Sequence, residues 1–140
     1  MENANIKQLT IIYFALFMGQ ALFALVVYFI MGEESNSDSF FRLAVPILSI
    51  STIGLSYFFY KKRKESGRNL KNLSGKINHY KASNFIRFAL MEGGNLFALV
   101  AVLLTSSMYF YLFFGLGMAA FLMSRPSQEG FINDYGVSGE

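Results

Sequence analysis

Four long apolar runs leave this chain few folds to choose from. They cover Leu9–Met31, Phe40–Tyr60, Phe85–Leu104 and Met108–Met123 in a chain of 140 residues. About 20 apolar residues, at 1.5 Å rise each, cross the hydrocarbon core of a bilayer as a helix. A soluble domain of this size has no core large enough to bury four such runs. The expected fold class is therefore all-α: a polytopic membrane protein, one membrane domain over 1–140, with four transmembrane helices. Composition agrees, with 54% hydrophobic residues, 15% charged, and the charges grouped. The fourth run is the shortest and needs its aromatic flank to reach across. The first run has a weak basic start, Glu2 with a single Lys7, and lacks a small-x-small cleavage motif. It is expected to be a retained helix rather than a cleaved signal, with Tyr13 and Tyr28 anchoring it near the interfaces.

Orientation follows from the cations. Lys61, Lys62, Arg63, Lys64, Arg68, Lys71, Lys76 and Lys81 crowd the link 61–84 between the second and third runs. Positive residues stay on the cytoplasmic side, so this link and both termini are expected there, in a multi-pass inner (cytoplasmic) membrane protein. The acidic stretch after the first run, GEESNSDS, and the Ser106–Ser107 turn then lie opposite. Within the link, Leu70, Leu73, Ile77 and Tyr80 recur at spacings of three and four between lysines. That pattern predicts an amphipathic helix lying on an anionic inner leaflet, its cations touching lipid headgroups. Positive-inside bias already accounts for the lysines, so no nucleic-acid partner is expected. Ser83 and Asn84 are candidate caps for the third helix, and 124–140 reads as a short polar cytoplasmic tail.

The chain also matches itself. Ile12–Val26 (IYFALFMGQALFALV) aligns without gaps to Ile86–Val100 (IRFALMEGGNLFALV), with ten of 15 columns identical. A tandem duplication predicts two parallel hairpins. Ala15 and Gly19 in the first copy, and Ala89 and Gly93 in the second, are four apart, as are Gly115 and Ala119 in the fourth run. Small residues at this spacing let helix backbones approach closely in lipid, so these six are the expected helix-packing positions. In the second run, Ser49, Ser51, Thr52, Gly54 and Ser56 form a weakly polar middle whose hydroxyls can bond back to their own helix. Pro46 should kink or loosen that helix.

One carboxylate breaks the third run. Glu92 stands where the first copy has Met18, with Asn95 one turn on and Gln20 in the facing copy. An ionisable group at this depth is expensive and marks either an ion site or interhelical glue. Glu92, Asn95 and Gln20 are the candidate ion-binding residues. Ala89, Glu92, Leu96, Phe97, Ala98, Leu99 and Val100 resemble the carboxylate helix of the ATP synthase c-subunit, or rotary ATPase proteolipid, family. The basic link before it, and a first copy lacking the carboxylate, are similar to that family too. The resemblance implies that Glu92 takes up and releases a proton or a sodium ion. The second run departs from the family, having only Gly54 where the family repeats G-x-G.

Other chemistry has no residues to carry it. The chain has no cysteine, and His79 is its single histidine. No phosphate loop, nucleophile elbow or metal-ligand cluster is present, so neither enzymatic activity nor a cofactor or metal is expected. The expected function is a small non-enzymatic membrane subunit, in a homo-oligomer or with a larger membrane partner. The alternative is a proteolipid-like cation-translocating subunit using Glu92.

Overall fold

Long apolar stretches, interrupted by few helix breakers, fold into helices that satisfy every backbone group internally. In the computed structural model, which describes residues 2–33 and 39–137, these are α1 (Glu2–Ile30), α2 (Ser39–Arg68), α3 (Leu73–Thr105), α4 (Tyr109–Met123) and α5 (Gln128–Tyr135). Most of the acidic link, 34–38, and the last three residues of the tail lie outside the described residues. α1 from Asn5, α2 from Phe40, and α3 are long and apolar enough to cross a membrane, and α4 is a shorter apolar helix. Large apolar side chains stand exposed along all four, among them Phe29 at 74%, Leu43 at 68% and Met123 at 81%. Water tolerates such a surface poorly, and an all-α membrane-embedded protein accommodates it.

α3 and α4 form the middle of the bundle, with α1 and α2 on either side. α3 packs against α1, α2 and α4, whereas α1 and α2 barely meet. The expected first hairpin is therefore not a packed pair. α1 turns its buried face, Leu9, Tyr13, Gln20 and Val27, toward α3 and α4 instead. α1 and α3 run parallel: Gln8 meets Lys81, Tyr13 meets Phe88, Gln20 meets Asn95 and Gly32 meets Ser106. The partners lie 73 to 75 residues apart, close to the 74-residue offset between the two matching segments. α4 returns along α3, so that the carbonyl of Ser124 accepts from Arg87 at 3.0 Å.

Two apolar clusters fill the interior. One, toward the basic link, gathers Leu9, Tyr13, Tyr60, Tyr80, Phe88, Met91, Phe121, Phe131 and Tyr135. The other, toward the α3–α4 turn, holds Val27, Val45, Ala98, Leu99, Val102, Phe110 and Phe114. Tyr13 belongs to the first cluster rather than to an interface. It is fully buried, its ring stacks on Phe121 at 4.7 Å, and its hydroxyl donates to the Phe121 carbonyl at 2.7 Å. α2 continues through Pro46.

The link folds differently from an in-plane helix. α2 runs on to Arg68 and α3 begins at Leu73, so 61–68 and 73–84 extend the two helices past their apolar runs. Asn72 caps α3, accepting from Ser74 N at 3.0 Å. Ser83 and Asn84 lie inside the helix, bonding back to the carbonyls of His79 and Tyr80. Ile77 and Tyr80 are buried, while Leu70 and Leu73 stay outside. What covers the buried pair is the tail. Ser127 caps α5 by accepting from Gly130 N at 2.9 Å, and Phe131 and Tyr135, one turn apart, seat the helix on the extensions of α2 and α3. At the other end, Ser106 closes α3 with φ +55 and accepts from Gly32 N at 3.0 Å.

Candidate functional site

Between the two apolar clusters lies a polar layer drawn from three helices. Asn95 on α3 donates through Nδ2 to Gln20 Oε1 on α1 at 2.7 Å, and both residues are buried. Gln20 Nε2 is buried with no partner among the described residues. Thr52 on α2 and Ser56 one turn later bond back to the carbonyls of Ser49 and Ile53. Two glycines make the layer possible. A Cβ at Gly94 would overlap Thr52 Oγ1, and one at Gly117 would overlap Asn95 Oδ1. These are the close approaches inside the bundle.

The six small residues predicted from spacing lie elsewhere. Ala15, Gly19, Ala89, Gly93, Gly115 and Ala119 are all exposed, and nothing comes within 4 Å of a Cβ built on Gly19, Gly93 or Gly115. They do not pack the chain against itself. The predicted face is displaced by one residue in α3 and by two in α4, because the buried stripe follows Asn95 rather than the Ala–Gly pair.

Glu92 is separated from its expected partners. Asn95 and Gln20 bond to each other, and Glu92, half-buried, makes no hydrogen bond or ion pair among the described residues. It borders the exposed stripe of Ala89 and Gly93, about 60° around the helix from Asn95. Its level follows from Arg87, five residues or about 7.5 Å before it along the axis. The Arg87 guanidinium is buried 3.9 Å over the Tyr60 ring and donates to Asn84 Oδ1 and the Ser124 carbonyl. Its Nε has no partner among the described residues. Tyr60, Arg87 and Ser124 share one level, with Lys61 and Arg125 just beyond it, so Glu92 lies inward of the last cations.

The cations predicted to touch lipid headgroups are divided. Lys64 pairs with Asp134 at 3.8 Å, Arg68 donates to the carbonyls of Asn133 and Asp134, and Lys76 donates to that of Tyr135. Positive groups on the last carbonyls of a helix complement its dipole, which explains their hold on α5. Arg63 bonds Ser83 and Lys81 bonds Gln8. Lys62 lies 5.2 Å over the Phe58 ring, and Lys61 and Lys71 stand exposed. Sequence spacing did not reveal the groups that seat the tail: Phe131, Asp134, Tyr135 and Gly67. The available signal was Ser127 as a cap, Phe131 and Tyr135 at helical spacing, and Gly136, whose φ of +63 ends α5.

No protein-family model matches the chain, and no curated protein or solved structure matches it. Among the described residues no group of three or more His, Cys, Asp or Glu could hold a metal ion. Chemically, the arrangement offers one carboxyl inward of the last cations, beside an exposed small-residue face. It also offers a polar layer that ties α1 to α3 and a basic end closed by the tail.

Proposed function

We propose that the chain is a non-enzymatic, four-span membrane subunit that assembles with further copies of itself through the outer face of α3. The observation that carries this is Glu92: a carboxyl inward of the last cations, bordering exposed Ala89 and Gly93, with no partner among the described residues. A carboxyl there needs a hydrogen-bonding partner, and a neighbouring helix that approaches over Gly93 supplies one. Large side chains such as Leu43, Ile47 and Ile50 on α2 suit lipid contact. The 15-residue α4 is about 22 Å long and crosses where the bilayer thins to meet it, returning to the level of Arg87. The basic end faces the cytoplasm, as do both termini, because the cations gather there.

Cation translocation by Glu92 is the competing function. It requires Gln20 and Asn95 to leave each other and turn toward the carboxyl. The deciding experiment pairs Glu92→Gln with mass determination in native nanodiscs. A structural carboxyl acts as a neutral donor and acceptor, which Gln imitates, so the variant should assemble as the wild type does. Loss of ion-dependent growth with assembly intact would instead assign Glu92 to transport. A wild type that is monomeric in lipid would end the assembly proposal.

A further inference from the structure

The contact between the tail and the helix extensions centres on His79, the chain's single histidine. Tyr135 is fully buried, and its hydroxyl lies 2.8 Å from His79 Nδ1 and 3.1 Å from Ser83 Oγ. Ser83 donates its own proton to the His79 carbonyl and accepts from Arg63 Nε at 3.0 Å. In the tautomer that carries its proton on Nε2, His79 Nδ1 accepts from the Tyr135 hydroxyl. Gly67 gives the pair room: a Cβ there would overlap the Tyr135 ring and lie 2.7 Å from His79 Nδ1.

The groups around this imidazole are cationic or neutral. From α2 comes Arg63, and from α3 comes Lys76, one turn earlier, with its Nζ on the Tyr135 carbonyl. α5 contributes the Tyr135 phenol, while the Asp134 carboxylate is engaged by Tyr60 at 2.6 Å and by Lys64. His79 lies in the extension 73–84, outside the apolar run. Burial, and after it Arg63, hold its value below the ordinary histidine range. Burial raises the Tyr135 phenol, which stays neutral.

We infer that α5 is an acid-released latch: protonation of His79 turns the acceptor that holds Tyr135 into a donor and adds a positive charge beside Arg63 and Lys76, so that the tail leaves the ends of α2 and α3. The docked state favours the neutral imidazole. Docking is thus at full strength above the ordinary histidine value, about 6.5, and weakens as pH falls through it. Release also frees Lys64, Arg68 and Lys76, which return to the positively charged cytoplasmic surface.

Spin labels on Ser66→Cys and Gln128→Cys, both exposed positions in a cysteine-free chain, report the distance between α2 and α5 in nanodiscs. At about pH 7.5 we expect one short, narrow distance distribution. At about pH 5 a long, broad population should grow, the docked-to-released ratio falling about tenfold for each unit by which docking depresses the His79 value. His79→Gln keeps an acceptor without a titrating proton and should remain docked at both pH values. Distances that do not change with pH in the wild type would overturn the latch. Equal acid release in the His79→Gln protein would overturn the assignment to His79.

Discussion

Glycines show how finely position matters in this bundle. Gly117 and Gly115 are two residues apart on α4, yet one meets Asn95 and the other meets nothing. Gly117→Ala should cost about 1–3 kcal/mol of stability, because Asn95 must give up its place against Gln20. Gly115→Ala should stay within about 0.5 kcal/mol. Thermal unfolding of the two proteins in mild detergent checks the pair. Asn95 itself is tied to Gln20 across the helices. Asn95→Ala should destabilise by about 1–3 kcal/mol, leaving a buried amide unpaired. Combined with Gln20→Ala in a double-mutant cycle, the coupling should be about 0.6–2 kcal/mol. No coupling would mean that the polar layer does not join α1 to α3.

At the scale of elements, the tail and the basic extensions stand or fall together. Gly67→Ala forces the Tyr135 ring and His79 apart, so α5 should loosen, and chymotrypsin should cut at Phe131 and Tyr135 faster than in the wild type. Unchanged cleavage would show that α5 is not seated there. The four apolar helices were legible in the sequence, since apolar runs bounded by charges and turn residues leave no other way to satisfy the backbone in lipid, whereas α5 sits in a stretch that reads as a polar tail. Their neighbours were not. The spacing of Ala89 and Gly93 marks a face but does not say whether it meets this chain or another. Leu70, Leu73, Ile77 and Tyr80 read as lipid-facing because the residues that cover two of them lie some 50 positions later. Glu92 was legible as the misplaced charge. That Asn95 and Gln20 satisfy each other instead depends on the parallel register of α1 and α3, which one sequence does not reveal.

For the whole molecule, cation placement predicts the orientation. Reporter fusions after Ser35 and after Glu140 should give opposite sides, with the basic end and both termini cytoplasmic. Same-side signals would remove one span. Assembly through α3 can be read by disulfide cross-linking in native membranes, since the chain has no cysteine of its own. Single cysteines at Ala89 and Gly93, flanking Glu92 on the outer face of α3, should form dimers of the 15.8 kDa chain. Cysteines at Ile47 and Ile50, also exposed but on α2, should remain monomeric. Dimers at neither pair of positions, or at both to the same extent, would contradict assembly through α3.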